Sequence, residues 1–264
     1  MTRQPLSLAA LTVLDAGPAG QIRAAAAAGF SSVGLRLMPL IDSDQHVVGD
    51  APAEREIEML LRDCGMAVLE IGVFPVKPRM DWATIAGVLA FSGRIGARMA
   101  VCPVEDGWPE RRADSFGRLC DHAAPHGLRA LVEFNPYSGC TSLAEALDVV
   151  ARAGRTNAGL VIDALHLSRS GGDPADLAGV DPALIDLVHL CDAPLPPSAS
   201  RSIDELRAES RTARLLPGEG ALWLDRLIDV LPPHTRFSIE APSGRIRPAL
   251  SATGINSLGE TMPL

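Results

Sequence analysis

Eight short apolar runs recur along this chain, and helix-like segments lie between them. Each run is short and nearly free of charge, which is typical of a strand buried on both faces of a parallel sheet. Successive runs begin about 30 residues apart, the usual length of one strand-and-helix unit of a barrel. The predicted strands are 6–13, 31–38, 66–73, 97–104, 129–136, 158–165, 186–193 and 236–243.

The intervening segments have the composition and the stop signals of helices. Several end in a glycine just before the next strand, the residue preferred at a helix C-terminus. The predicted helical segments are 19–29, 52–65, 81–96, 110–127, 142–154, 174–185 and 221–231, and the closing glycines are Gly29, Gly65, Gly96, Gly127 and Gly154.

Strands alternating with helices over about 250 residues predict an α/β fold of the (β/α)₈ barrel type. A doubly wound sheet is the alternative, but no GxGxxG follows the first strand and the number of strands exceeds its usual count. We expect a single barrel domain over residues 1–264.

Two segments depart from the regular pattern. The seventh connection is long and rich in Pro, Ser and Arg, and we predict a lid loop over 194–216. The stretch GRIRPALSATGINSLGETMPL (244–264) is a poor helix former, which predicts an atypical or incomplete eighth helix. Two interpretations stay open: either the barrel is incompletely wrapped, or this end packs on a neighbouring subunit of a homo-oligomer.

Charge and cysteine content narrow the function classes. The chain has 264 residues and a formal net charge of −8, which argues against a nucleic-acid partner. Its five cysteines are scattered and have no CxxC spacing, as expected for reduced thiols in the cytoplasm. We find no secretory signal and no apolar run of membrane-spanning length in the sequence, so we expect a soluble protein. Since the charge disfavours a nucleic-acid partner, we expect it to act on a small molecule.

Single polar residues end four consecutive apolar runs: Glu133, Asp163, His189 and Glu240. In a barrel, the carboxyl ends of the strands surround the active-site mouth, so these side chains would converge. Three carboxylates and one imidazole are a ligand set that suits Mn²⁺, Mg²⁺ or Co²⁺, whereas structural zinc sites are typically rich in cysteine. Zn²⁺ also fits this set. The competing interpretation is that each residue pairs with a nearby Arg or Lys. The convergence of all four favours one divalent metal ion.

The segments EFNPYSGCTSLAEALDVVARAG, NAGLVIDALHLSRSGGDPADL, VHLCDAP and RLLPGEG resemble the xylose-isomerase-like barrel family of sugar-phosphate isomerases and epimerases. The resemblance covers residues 30–243 and is most specific at D-x-x-H followed by R-x-G-G. It implies that the family's metal ligands fall on Glu133, Asp163, His189 and Glu240, and that His166 either binds substrate or supports the metal ligands.

Such a site predicts a sugar isomerase or epimerase, or one acting on a similar α-hydroxy ketone. A divalent ion chelated by a ketone and its neighbouring hydroxyl acidifies the C–H between them and stabilises an enediolate. Glu133 and Glu240 would then act as the paired acid and base. Loss of a β-hydroxyl from the same intermediate would instead give a dehydratase or lyase acting on a keto-polyol or cyclic hydroxy-ketone.

Two other classes are disfavoured. The family also holds endonucleases that cut abasic DNA with three metals, but those use histidines on earlier strands, and strands two to four here have none. A barrel that binds a metabolite without turnover is disfavoured because every ligand of the set is present.

Four further charged residues were assigned by position. Arg214 and Arg36 are predicted to bind a substrate carboxylate or phosphate, with a solvated loop charge as the competing interpretation of Arg214. Asp192 is predicted to orient His189 or to bind substrate. Glu70 is expected to pair with an Arg inside the barrel. The sequence does not choose among isomerase, epimerase and dehydratase, because the first step is common to all three.

Overall fold

The computed structural model describes residues 5–40, 44–195 and 201–242. Eight parallel strands, β1 to β8, pair in chain order and close into a barrel, because β8 also pairs with β1. The strands are β1 Leu6–Leu8, β2 Ser32–Arg36, β3 Ala67–Gly72, β4 Met99–Pro103, β5 Arg129–Glu133, β6 Ala158–Asp163, β7 Ile185–Leu190 and β8 Arg236–Ile239. The predicted barrel is therefore confirmed, with shorter strands than the apolar runs suggested.

Helices connect the strands along the outside of the barrel. They are α1 Gly17–Ala27, α2 Ala51–Asp63, α3 Trp82–Arg94, α4 Pro109–Ala123, α5 Leu143–Ala153, α6 Ala164–Arg169, α7 Ile203–Thr212 and α8 Leu224–Val230. Local signals set their ends. The Ser142 hydroxyl accepts the backbone N–H of Glu145 to begin α5, and Gly154 ends it with a positive φ of 62°.

Three expectations about the elements need correction. The first predicted strand continues beyond Leu8 as a 3₁₀ helix, Ala10–Ala16. The predicted helix 174–185 is two 3₁₀ turns, Pro174–Gly179 and Pro182–Leu184, because Pro182 has no N–H to continue a helix. Helix α6 directly follows β6 and was not predicted.

The predicted lid loop 194–216 contains a helix. The Ser202 hydroxyl and the Glu205 carboxylate form a reciprocal capping box that begins α7. Residues 196–200 of this segment lie outside the described residues, as does the predicted atypical eighth helix within 243–264. Both α7 and α8 precede β8.

Apolar side chains fill the barrel beneath its mouth. Alternate residues of a strand point to the same face, so Leu131, Val161 and Leu187 point inward with the polar residues two positions later. Together with Met99 and Val101 they form a buried cluster separate from the larger core between strands and helices. No helix in the described ranges is long and apolar enough to cross a membrane.

Candidate metal centre

The four predicted ligands lie at the carboxyl ends of four consecutive strands. Glu133 and Asp163 are the last residues of β5 and β6, while Glu240 follows β8 directly. His189, near the end of β7, is the register partner of Asp163. The strand order of a parallel barrel thus collects residues that are more than 100 positions apart in the sequence.

One ligand atom from each of Glu133, Asp163, His189 and Glu240 lies within 4.8 Å of the others, and all four residues are buried. The Nδ1 atom of His189 is 3.1 Å from a Glu133 oxygen, 3.4 Å from a Glu240 oxygen and 3.9 Å from an Asp163 oxygen. Carboxylates held this close repel one another unless a cation lies among them. The donor set and its spacing fit a single divalent metal ion.

Arg214 supplies positive charge to this cluster. Its guanidinium is 2.5 Å from Asp163 and 3.2 Å from Glu240, and the side chain is only 1% exposed. The remaining N–H groups donate to Ser210 and Cys191. The competing interpretation of Arg214 as a solvated loop charge is wrong, because the side chain is buried and paired, while its predicted binding of a substrate carboxylate or phosphate stays a prediction.

The charges around His189 and Glu240 shift both of their pKa values. Burial disfavours a charged His189, but the carboxylates of Glu240 and Glu70 outweigh it and hold the imidazole pKa well above its ordinary value. Burial alone would raise the pKa of Glu240, yet the positive charges of His189 and Arg214 lower it. In the metal-free protein, a protonated His189 therefore holds the carboxylates together.

His166 and Arg36 lie beside the cluster. The backbone N–H of His166 donates to an Asp163 oxygen at 2.8 Å. The ring of Tyr137 packs edge-on against the imidazole of His166, with 5.6 Å between the ring centroids. Burial lowers the pKa of His166, so the ring is neutral at pH 7. Arg36 ends β2, interacts electrostatically with Glu240 and Glu133, and has a buried Nε without a hydrogen-bond partner among the described residues.

Of the two roles predicted for Asp192, the structure does not show the orientation of His189, and substrate binding stays a prediction. The Asp192 carboxylate accepts the backbone N–H groups of Ala193, Gly218 and Leu222, so it fixes the loop after α7. Both ring nitrogens of His189 contact other residues, so Asp192 does not orient this imidazole.

Glu70 contacts His189 instead. Among the described residues, its ion pair is with this histidine and not with an arginine, which is the partner that the sequence had led us to expect. Its carboxylate lies 2.8 Å from Nε2 of His189 and accepts the Ser238 hydroxyl at 2.6 Å. The available signal was a single charged residue within an otherwise uncharged strand, AVLEIG. The partner on β7 could not be read from the sequence.

Comparisons with known proteins agree with this geometry. The sequence matches the family described as xylose isomerase-like TIM barrel over residues 22–260. An inosose isomerase of Halalkalibacterium halodurans is 30% identical over 115 residues, which are 43% of this chain and 38% of that protein. A 3-dehydroshikimate dehydratase of Pseudomonas aeruginosa is 35% identical over 119 residues, which are 45% of this chain and 18% of that protein. The matches thus span less than half of each relative.

Among solved structures, the IolI protein with a binding zinc atom superposes with a TM-score of 0.78 at 19% identity, covering 97% of this chain and 95% of that one. At this identity, the likeness shows a shared fold. The family match extends from α1 past β8 and so includes β5 to β8, the four strands that carry the candidate metal ligands. The chain therefore belongs to the xylose isomerase-like TIM barrel family.

Proposed function

We propose that this protein is a divalent-metal-dependent isomerase or epimerase that acts on a sugar or a sugar-like α-hydroxy ketone. The observation that carries the proposal is the convergence of Glu133 and Glu240 from β5 and β8 on one metal-binding cluster. The inosose isomerase relative acts on a substrate of this class, as its name states.

Glu133, Asp163, His189 and Glu240 would hold the ion, which we propose is Mn²⁺, Mg²⁺ or Co²⁺, with Zn²⁺ as a further candidate. When bound, a divalent ion supplies Lewis-acid chemistry that makes the C–H beside a carbonyl more acidic. Arg214 forms ion pairs with Asp163 and Glu240 and, together with His189, lowers the pKa of Glu240.

Glu133 and Glu240 perform the proton transfers. One carboxylate takes the proton from the carbon beside the carbonyl, and the other returns a proton to the resulting enediolate. Return to the opposite face of the same carbon gives an epimer, and return to the neighbouring carbon gives an isomer. The two residues belong to β5 and β8, which are separated by two strands of the barrel, and we propose that they face opposite sides of a bound enediolate.

Two residues beside the cluster, His166 and Arg36, are proposed to bind the substrate. Neutral His166 can donate to or accept from a hydroxyl, and Tyr137 supports its ring. Arg36 brings to the same mouth a buried Nε–H that has no hydrogen-bond partner in the described parts of the chain. Substrate hydroxyl and carbonyl oxygens are suitable partners for both.

A dehydratase is the second candidate, and it is favoured by the similarity to the 3-dehydroshikimate dehydratase. It would use the same first proton transfer and then expel a β-hydroxyl. We also propose a cytoplasmic location and no nucleic-acid partner, in keeping with five free cysteines and a net charge of −8.

Incubation of the Mn²⁺-loaded protein with ketoses, inososes and 3-dehydroshikimate in D₂O distinguishes these activities. An isomerase or epimerase incorporates deuterium at the carbon beside the carbonyl without losing water, which proton NMR detects. A dehydratase produces a conjugated product that absorbs in the ultraviolet. Glu240→Gln should abolish either reaction, and exchange that persists in this variant would contradict the assigned acid and base.

A further inference from the structure

Glu70 is a buried carboxylate that contacts His189 from the side opposite the metal cluster, at Nε2 rather than Nδ1. It lies in the middle of β3 and is 2% exposed. Among the residues that the structure describes, His189 is its ion-pair partner and Ser238 is its hydroxyl donor. Burying a carboxylate costs free energy unless its partners compensate for the lost hydration. His189 and Ser238 are the partners that compensate here, and this pairing suggests what Glu70 does.

The neighbouring strand leaves space for this side chain. Gly34 on β2 is the register partner of Glu70. A Cβ atom at position 34 would lie 2.8 Å from Cγ and 2.9 Å from Oε1 of Glu70, closer than packed atoms approach. A side chain at position 34 would therefore displace the Glu70 carboxylate from His189.

Each ring nitrogen of His189 faces a carboxylate, Glu133 at Nδ1 and Glu70 at Nε2, so the protonated imidazole of the metal-free protein donates to both. A metal ion that binds among Glu133, Asp163 and Glu240 can displace only the Nδ1 proton. An ionised carboxylate only accepts hydrogen bonds, so Nε2–H of His189 donates to Glu70. A neutral imidazole has one N–H, and its second nitrogen is then an acceptor with a free lone pair. With the proton fixed on Nε2, the Nδ1 lone pair is directed toward Glu133, Asp163 and Glu240.

We propose that Glu70 is a positioning residue that fixes His189 in the Nε2–H tautomer and thereby makes Nδ1 a metal ligand. The proposal rests on the metal site described above. Ser238 supports it by donating to the other oxygen of Glu70, which fixes the carboxylate plane. Carboxylates that orient ligand histidines in this way typically contribute about 10-fold to 100-fold to metal affinity.

The test is titration of the chelator-treated protein with Zn²⁺ by calorimetry, combined with ¹⁵N NMR of labelled histidines in the Zn²⁺-loaded state. Wild type should bind one Zn²⁺ and show His189 as the Nε2–H tautomer. Glu70→Gln should weaken Zn²⁺ binding about 10-fold to 100-fold, because an amide can also donate to Nε2 and so favour the wrong tautomer. Ser238→Ala should weaken it less.

Asp186→Asn is the matched control. Asp186 is a second buried carboxylate, paired with Arg129, and it precedes the inward-facing Leu187 near the beginning of β7. Its replacement should leave Zn²⁺ affinity and the His189 tautomer unchanged. Circular dichroism confirms that each variant is folded. If Glu70→Gln does not fold, Ser238→Ala and Gly34→Ala, which disturb the same carboxylate indirectly, decide the question.

The outcomes separate the two claims. If wild type binds Zn²⁺ and the Glu70 and Ser238 variants bind it equally well with the same tautomer, the role of Glu70 is contradicted while the metal site stands. If wild type binds no metal, both the site and the role of Glu70 fall.

Discussion

His189 has carboxylates at both of its ring nitrogens, Glu133 at Nδ1 and Glu70 at Nε2. In the metal-free protein these contacts, with Glu240, keep the imidazole protonated. A metal ligand must be neutral, so metal binding has to displace the Nδ1 proton. Protons and metal ions therefore compete for the same nitrogen.

We predict that metal affinity rises with pH. Because the folded-state pKa of His189 is raised, its protonated form stabilises the metal-free protein below the ordinary value of 6.5, and this contribution is lost as pH rises through the folded-state pKa. Metal binding below that pKa should release about one proton. Calorimetry in two buffers of different ionisation enthalpy measures this number, and a value of zero would contradict the assignment.

Arg214 provides a second prediction about single residues. Arg214→Met leaves buried Asp163 without its cation, so the metal-free variant should lose about 3–5 kcal/mol of unfolding free energy. Added Mn²⁺ should stabilise this variant more than wild type, because the ion replaces the missing positive charge.

Urea unfolding with and without Mn²⁺ measures both effects. Arg226→Met is the control, since Arg226 forms an exposed ion pair with Asp173, worth about 0–1 kcal/mol. Equal losses in the two variants would show that Arg214 does not stabilise the cluster.

Among the elements, α7 is closely tied to the site. Glu209 of α7 accepts two hydrogen bonds from Arg169 at the end of α6, at 2.9 and 2.8 Å. The next residue, Ser210, accepts from Tyr137 and contacts Arg214. The helix thus connects the metal ligands to the residues proposed to bind substrate.

Loosening α7 should weaken substrate binding more than it slows the chemical step. Glu209→Gln removes the charge that pairs with Arg169 but keeps the side-chain shape, so KM should rise while kcat changes less. Steady-state kinetics tests this, with Asp204→Asn on the exposed face of α7 as the control. A fall in kcat at constant KM would place the effect on the proton transfers instead.

The sequence predicted the barrel strands well because short apolar runs and glycine stops are local signals. It missed α6 and α7 for physical reasons. Helix α6 begins directly after Asp163, whose carboxylate caps it. No loop separates it from β6, so the sequence contains no turn signal that marks its start. Helix α7 depends on a capping box and on the contacts of Glu209, which outweigh the loop-like composition of 194–216.

At the scale of the whole molecule, closure of the barrel brings residues that are distant in the sequence together at one site. The convergence of the four candidate metal ligands could be predicted because each lies at or next to the end of a strand and all such ends meet at one mouth. The partners of Glu70 and Arg214 could not be predicted, because they are set by strand stagger and by a long connection between strands. The spacing of residues along the chain predicts neither the stagger of the strands nor the path of a long connection.

Burial of the cysteines gives a prediction for the whole chain. Burial is the main cause that raises the pKa of Cys120, Cys140 and Cys191 to about 12 and that of Cys102 well above its ordinary value. Since the thiolate is the reactive form, a disulfide reagent at pH 8 should label Cys64 alone in the folded protein. Cys64→Ser should remove this labelling, and all five cysteines should react after unfolding. Fast labelling of a second thiol would contradict the described packing.

The most direct test of the central claim is the metal content of the purified protein, measured by elemental mass spectrometry beside Asp163→Asn and Glu240→Gln. We predict about one divalent ion per chain in wild type after incubation with Mn²⁺, and a strong loss in both variants, because each removes one ligand of a four-ligand cluster. Absence of bound metal in wild type, or full retention in both variants, would contradict the assigned centre and the isomerase mechanism built on it.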